Sequence, residues 1–252
     1  MLAIERRNQI LLKLQKESKV LVSDLSQTYE VTEETIRRDL EKLEKEGFAK
    51  KTYGGAVLKE SLYSDLPYNV RKETNVKSKK KIAQTIGAMI EDGDCIALDA
   101  SSTALYIIKE IKNKNNITVL TNSIEILLEL SDKKDWKILS TGGTLKEGSL
   151  SLLGYQAEKM IDNFHVDKAI VSCKGVDAEF GVTDSNELDA EIKKHFFGAA
   201  TQKILAVDST KLDRKSFTKI VEISGIDILV TDQKPEKKWE EICSKSNVEI
   251  HY

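Results

Sequence analysis

Between residues 95 and 231, short apolar runs alternate with helical patterns, and that alternation decides the fold class. The runs are Cys95-Ile96-Ala97-Leu98, Ile117-Thr118-Val119-Leu120, Lys137-Ile138-Leu139-Ser140, Ala169-Ile170-Val171-Ser172, Lys203-Ile204-Leu205-Ala206-Val207 and Ile228-Leu229-Val230. Each is too short for a helix and mostly lacks the apolar–polar alternation of a half-exposed strand. Strands apolar on both sides are buried on both faces, as in a parallel sheet covered by helices. Segments through Ile82, Ile86 and Met89, and through Leu105, Ile108 and Ile111, have the helical spacing to cover them. The expected class is α/β, with a Rossmann-like, mostly parallel domain over residues 76–252.

Polar clusters follow these strands at one recurring position. They are Asp99-Ala100-Ser101-Ser102-Thr103, Thr121-Asn122-Ser123, Thr141-Gly142-Gly143-Thr144, Cys173-Lys174-Gly175-Val176-Asp177, Asp208-Ser209-Thr210-Lys211 and Thr231-Asp232. Open α/β sheets bind ligands beyond the carboxyl ends of their strands. Ser101, Ser102 and Thr103 open a helix, where hydroxyls and backbone N–H groups suit a phosphate. Gly142 and Gly143 allow close backbone approach. Lys174, Lys193 and Lys211 supply positive charge, and Asp99, Asp177, Asp189 and Asp208 accept from sugar hydroxyls. Helix caps use the same residue types, so recurrence along the rim carries the inference, with Thr121, Asn122 and Gly175 included in the candidate site.

The first 57 residues read differently. Thr32 can cap a helix, Glu33 and Glu34 suit its positive end, and Ile36, Leu40 and Leu43 form one apolar stripe. Thr35, Arg37, Arg38 and Lys42 are left facing outward, and Gly47 ends the helix in the left-handed region. Before it lie a helix over residues 3–17, the patch Val20-Leu21-Val22, and a small helix that Ser23 would cap. After it, Phe48-Ala49-Lys50-Lys51-Thr52-Tyr53-Gly54-Gly55-Ala56-Val57 resembles a two-stranded wing. This order is a winged helix-turn-helix, in which the last helix is built to enter a DNA major groove. Arg6, Arg7, Thr32, Thr35, Arg37, Arg38, Lys42, Lys51 and Tyr53 are the candidate DNA contacts, with Lys50 beside them. The segment is nearly charge-balanced, so affinity has to come from placement and from doubling in an oligomer.

Residues 58–75, with Pro67, lack clean periodicity and read as a linker between a DNA-binding domain at 1–57 and the larger domain at 76–252. The chain has 252 residues, 40% of them hydrophobic and 32% charged, and a net charge of −2. That balance argues against general polyanion binding. No apolar run approaches the roughly 20 residues needed to span a bilayer, and the N-terminus lacks a signal-peptide core, so a cytoplasmic protein is expected. Cys95, Cys173 and Cys243 are odd in number and widely spaced, which suggests reduced core cysteines and no metal site. His165, His195 and His251 are equally scattered.

The two halves together resemble the DeoR family of bacterial transcription regulators over nearly the whole chain. The resemblance rests on Thr35-Ile36-Arg37-Arg38-Asp39-Leu40 with Leu43-Glu44 and Gly47, and on Lys51-Thr52-Tyr53-Gly54-Gly55-Ala56, where the family has Arg-x-His-Gly-Gly-Ala. It continues at Thr121-Asn122, Gly142-Gly143, Gly175-Val176-Asp177, Asp189-Ala190 with Lys193, Asp208-Ser209-Thr210-Lys211 and Thr231-Asp232. Ser101 stands where the family's first loop has Gly, a swap expected to crowd the backbone near a phosphate.

The resemblance implies a repressor of a sugar-catabolic or transport operon that binds operator DNA and is released by a phosphorylated sugar. It implies an effector domain related to sugar-phosphate isomerases, a homodimer or homotetramer, and no cofactor beyond the sugar-phosphate effector. The alternatives are an effector-responsive activator, or an isomerase- or deaminase-like enzyme with Asp99, Asp177 or Asp189 as general base. Lys174, where the related isomerases place an acid, argues against catalysis.

Overall fold

A computed structural model describes residues 1–59 and 66–252 of the chain; residues 60–65 of the expected linker lie outside the described residues. The chain forms two compact units, Met1–Thr74 and Asn75–Tyr252.

In the first unit, α1 (Ala3–Glu17), β1 (Lys19–Leu21), α2 (Val22–Tyr29) and α3 (Glu33–Lys45) precede β2 (Ala49–Thr52) and β3 (Gly55–Leu58). Ile10, Leu11 and Leu14 of α1, Leu25 of α2, and Ile36, Leu40 and Leu43 of α3 meet in one buried core. The helices hold together through these apolar stripes, because helices this short are marginal alone. The strand order is β1-β3-β2, and both pairings are antiparallel. Gly55 makes that order possible: a Cβ there would lie 1.9 Å from the Val20 carbonyl oxygen. Gly47 closes α3 at φ +83°, while Phe48 N–H bonds the Leu43 carbonyl at 2.9 Å.

Two expectations change here. Ser23 lies inside α2 and does not cap it; the helix starts directly from β1, and the Ser23 hydroxyl donates to Asp24. Part of the expected linker is structured, since α4 (Tyr68–Glu73) follows Pro67 and Val70 joins the core of the first unit. A single helical turn's worth of apolar residues is too short for its periodicity to stand out.

The second unit opens with α5 (Val76–Gly87), β4 (Cys95–Leu98), α6 (Ser102–Glu110), β5 (Thr118–Thr121), α7 (Ile124–Glu129) and β6 (Lys137–Ser140). A hairpin of β7 (Thr144–Lys146) and β8 (Ser151–Leu153) precedes α8 (Tyr155–Asp162) and β9 (Val166–Val171). Then come β10 (Gly175–Asp177), β11 (Gly181–Asp184), α9 (Glu187–Gly198), β12 (Ala200–Ala206), β13 (Thr218–Val221), β14 (Ile228–Val230), α10 (Lys237–Lys245) and β15 (Glu249–His251). The main sheet runs β15-β14-β12-β9-β4-β5-β6, and every neighbouring pair is parallel.

Alternate residues of the strands separate two cores. Ile96, Leu98, Val119, Ile170 and Ile204 pack with α5, α6 and α7 residues on one face. Ala97, Leu120, Ala169, Val171 and Leu205 pack with Ala157, Ile161, Phe196 and Trp239 on the other. This two-sided burial is why the runs looked continuously apolar. Two small antiparallel sheets, β7-β8 and β10-β11-β13, add to the parallel frame.

Candidate functional site

The first unit presents α3 and the wing. Thr32 caps α3, its hydroxyl oxygen accepting the Thr35 N–H at 3.3 Å and lying 2.9 Å from the Thr35 hydroxyl. Burial of Ile36, Leu40 and Leu43 turns the opposite stripe outward. Arg37 and Arg38 are exposed there, paired one turn back with Glu33 at 2.7 Å and Glu34 at 3.2 Å. Exposed pairs of this kind contribute only about 0–1 kcal/mol, so either guanidinium can exchange its glutamate for a nucleic-acid acceptor at small cost. Lys42 is also exposed. On the wing, Lys50, Lys51 and Tyr53 are exposed, and the Lys51 N–H is held by Glu44 at 2.8 Å, which fixes the wing to α3.

Arg6 corrects the sequence expectation. It is only 7% exposed, and its Nε donates to Asp39 Oδ2 at 2.6 Å. Arg7 lies 3.6 Å from the other Asp39 oxygen. Asp39, inside the Arg37-Arg38-Asp39 motif, therefore joins α1 to α3. Arg6 acts as a strut that orients the outward helix, and its guanidinium is not presented to solvent.

In the second unit, parallel pairing brings the carboxyl ends of β4, β5, β6, β9, β12 and β14 to one rim. Asp99, after β4, is buried; its Oδ1 accepts the Ser101 N–H at 3.2 Å and its Oδ2 the Ser172 N–H at 3.1 Å. Lys193 of α9 reaches across to it at 3.5 Å and also bonds Asp184. Burial works against a charged Asp184, but Lys193 and Lys174 outweigh it and hold the carboxyl below its usual range. Burial likewise works against a charged Lys193, and Asp184, Asp99 and Asp189 raise its ammonium above the usual value. Lys211 donates to the Ser172 hydroxyl at 3.1 Å and lies 3.9 Å from Asp208. Asp99, Ser172, Asp184, Lys193, Asp208 and Lys211 are thus one connected network, with Lys174 close enough to act on Asp184.

Other candidates have more structural duties. The Ser101 hydroxyl caps α6 by accepting the Ala104 N–H at 3.1 Å. Its backbone, at φ −80° and ψ 152°, is ordinary extended chain, so Ser in place of the family's Gly brings no strain. Ser102 and Thr103 are buried in the first turn. Thr121 braces β4 to β5, donating to Leu98 O at 2.7 Å and accepting the Ser123 N–H. Asn122 donates to Leu152 O at 3.1 Å, while its side-chain oxygen is buried with no hydrogen-bond partner among the described residues. Gly142 and Gly143 have φ +63° and +107°, and a Cβ on Gly143 would lie 2.6 Å from Leu153 O. Gly143 is thereby explained by the close seat of the β7-β8 hairpin. At Gly175 a Cβ would lie 2.4 Å from Arg214 O.

Asp177 and Asp189 depart from their expected presentation. Asp177 accepts the Glu179 and Phe180 N–H groups at 3.0 and 2.8 Å and lies 3.4 Å from Lys215, so its carboxylate holds the β10-β11 turn. Burial pushes its pKa up, and those N–H bonds more than reverse the effect. Asp189 is bound by Lys146 at 2.5 Å, which ties α9 to the hairpin. Sequence reading missed Asp184 and the role of Ser172. The signal for Asp184 was faint: Thr183-Asp184-Ser185-Asn186 reads as a helix-capping run, and Asn186 does cap α9.

Cys173 lies beside the network, but burial pushes its thiol up to about 12, so it is protonated and a poor nucleophile at neutral pH. Among the described residues no group of His, Cys, Asp or Glu is arranged to hold a metal ion, and no helix is long and apolar enough to cross a membrane.

Two family models match the chain: a DeoR-like helix-turn-helix domain over residues 6–62 and the DeoR C terminal sensor domain over residues 74–233. An uncharacterized HTH-type transcriptional regulator, YulB of Bacillus subtilis (strain 168), is 42% identical over 92% of this chain and 90% of its own length. The repressor GlcR of the same organism is 33% identical over 98% and 95%. A putative aga operon transcriptional repressor of Escherichia coli O157:H7 is 32% identical over 98% and 92%. Among solved structures, ribose 5-phosphate isomerase A of Methanocaldococcus jannaschii aligns with 53% of each chain at 18% identity and a TM-score of 0.39. A helix-turn-helix with exposed arginines, joined to a sensor domain and shared with named regulators over nearly the full length, marks a transcription regulator and not an enzyme. The chain belongs to the DeoR family of DNA-binding transcription regulators.

Proposed function

We propose that this regulator is a cytoplasmic repressor of a sugar-catabolic or sugar-transport operon, and that a phosphorylated sugar bound at the carboxyl rim of the main sheet releases it from operator DNA. The observation that carries the reading is the rim network: Lys211 and Lys193 among the buried carboxylates Asp99, Asp184 and Asp208. A phosphate needs a cation that can turn to it, which Lys211 supplies while Lys193 holds the carboxylates in place; sugar hydroxyls need carboxylate acceptors. The names of GlcR and the aga operon repressor support the sugar assignment.

On the DNA side, Arg37 or Arg38 reads guanine edges from α3, a bidentate contact that supplies about 1–3 kcal/mol of discrimination. Thr32, Thr35 and Lys42 line the same approach, and Arg7, Lys51 and Tyr53 meet the backbone. A homodimer or homotetramer doubles these contacts on repeated half-sites. The sugar phosphate changes DNA affinity only insofar as it binds the two conformations unequally.

Footprinting on DNA upstream of the chain's own gene and its neighbours should give a protected repeat. Titration with sugar phosphates should then lower operator affinity. A protected operator whose affinity no sugar phosphate changes would reject the sensor assignment. A sugar phosphate that strengthens binding at an activated promoter would replace repression by activation.

A further inference from the structure

The topology of the second unit determines where its first residue must lie. All neighbouring strands of the main sheet are parallel. α5 leads into β4, so it crosses the sheet from the rim at which strands end back to the edge at which they begin. Its N-terminus is consequently at the ligand rim. Asn75, the first residue after the Met1–Thr74 unit, sits there.

A hydrogen bond holds this start: the Asn75 side-chain amide donates to Asp208 Oδ1 at 3.3 Å. Ser78, three residues on, lies close enough to Asp232 to help lower that carboxyl's pKa. Both carboxylates belong to the rim loops after β12 and β14. Asp208 Oδ1 also accepts the Thr210 N–H at 3.2 Å and bonds the Thr210 hydroxyl, while Asp208 Oδ2 is 3.9 Å from Lys211. Asp232 accepts the Ser209 N–H at 2.7 Å, and Gln233 donates to the Ser209 hydroxyl at 2.8 Å. The loop carrying Lys211 is thus held at its base by Asp208, which also holds the start of α5, and on its other flank by Asp232, which lies near Ser78.

Asn75 has a left-handed backbone, φ 50° and ψ 39°. Asn tolerates that region better than most side chains, but still as a local turn that its surroundings must hold. Its side chain makes no capping bond to α5; its amide is directed to Asp208 instead. A cap would stabilise the helix alone, whereas a bond to Asp208 makes the turn depend on the rim.

We infer that Asn75, supported by Ser78, is the residue through which rim occupancy is transmitted to the entry of the second unit, by way of its bond to Asp208. This rests on the proposed sensor reading and specifies its regulation. An anion that engages Lys211 competes with Asp208 for that cation and acts on the Asp208 carboxylate by like charge. The Asn75–Asp208 bond responds, because Asp208 is shared. The left-handed turn that the bond holds then changes its preference, at the point where the chain passes from one unit to the other.

The test uses the full chain, its footprinted operator as a labelled duplex, and four probes: glucose 6-phosphate, glucosamine 6-phosphate, fructose 1-phosphate and glycerol 3-phosphate. Asn75→Gly keeps the left-handed turn available and removes the amide; Ser78→Ala removes the hydroxyl beside Asp232 without touching the turn. For the wild type, operator Kd with and without the most effective probe should differ by about 5–150-fold, the usual range of allosteric coupling. In Asn75→Gly the ratio should collapse toward one while calorimetry still shows probe binding; Ser78→Ala should lower the ratio in the same direction.

Wild-type ratios in both variants, each melting as one folded species, would overturn the inference and leave the sensor reading intact. A wild type that binds its operator and ignores all four probes would overturn the sensor reading for these ligands, and the inference with it. If Asn75→Gly does not fold, Ser78→Ala decides: a wild-type ratio there overturns the inference.

Discussion

The Nε of Arg6 donates to Asp39 Oδ2 at 2.6 Å, joining two buried side chains 33 positions apart. Asp39 follows directly on Arg37 and Arg38, so one motif contributes both an inward anion and outward cations. The inward partner sets the rotation of α3; the outward pair is then aimed by the frame. Breaking a buried pair by removing one side typically costs about 3–5 kcal/mol, because the other charge is stranded. Arg7, 3.6 Å from Asp39, offsets part of that. Arg6→Ala should therefore lower the stability of the first unit by about 3 kcal/mol in urea titration. Arg37→Ala should change stability by no more than about 0.5 kcal/mol yet weaken operator binding by about 1–3 kcal/mol. A stable Arg6→Ala protein with selectively weakened DNA binding would return Arg6 to the contact surface.

The wing makes a different kind of contact. Lys51 is exposed, and the fold holds it through its backbone, with the N–H bonded to Glu44 and the residue paired with Ala56 in the wing. Lys51→Ala preserves that bond. A lysine that holds a phosphate contributes to affinity through counterion release, independent of sequence. Operator affinity measured against salt should show a slope smaller by about one for Lys51→Ala, with specific and non-specific DNA weakened alike. An unchanged slope would remove Lys51 from the phosphate contacts.

The frame was legible where short-range chemistry fixes it. The Thr32 cap, the Ile36, Leu40 and Leu43 stripe and the Gly47 stop place α3, and Glu33–Lys45 is the observed helix. The strands β4, β5, β6, β9, β12 and β14 were legible as uninterrupted apolar runs; β15, the edge strand Glu249–His251, carries no such run and was not. The hairpin β7-β8 and the sheet β10-β11-β13 were not, since their strands are three or four residues long and partly polar. Individual roles were harder to read than positions. Arg6 on an amphipathic helix looks like a solvated cation until Asp39 is folded against it. Asp177 looks like a ligand acceptor until the Glu179 and Phe180 N–H groups turn onto it. Asp184 went unread because its significance depends on Lys193 also reaching Asp99, which lies far off in sequence.

Lys193 should give the second unit a distinctive pH response. The folded-state pKa of Asp184 is lowered, so its contribution is present above the unfolded carboxyl pKa of about 3.9 and is lost as pH falls through the folded value. That of Lys193 is raised, so its contribution is present below about 10.4 and is lost only as pH rises through the folded value. The pair is therefore fully stabilising across neutral pH. Lys193→Met strands Asp184 and Asp99 as buried anions, at a cost of about 3–5 kcal/mol at pH 7. Without the cation, burial favours protonated carboxyls, so acidification toward pH 5 should narrow the gap to wild type. Unfolding curves at pH 5 and 7 check this; a gap that widens on acidification would contradict it.

Lys211 differs from Lys193 in how firmly it is held. Its bonding partner is a neutral hydroxyl, Ser172, and Asp208 lies at 3.9 Å, whereas Lys193 directly bonds the buried Asp184 and lies 3.5 Å from Asp99. A cation with a weak grip can be redirected to an incoming phosphate; one fixed between two carboxylates serves the frame. Lys211→Met should consequently leave stability nearly intact while removing a charge-assisted bond of about 1.5–3 kcal/mol to the ligand. That corresponds to roughly tenfold to hundredfold weaker sugar-phosphate binding by calorimetry. Operator binding without ligand should stay at the wild-type level, since α3 and the wing are untouched. In cells the variant should then repress continuously, requiring a higher inducer concentration for release. Wild-type sugar-phosphate affinity in Lys211→Met would exclude this ammonium from phosphate recognition and shift the role to the remaining rim groups.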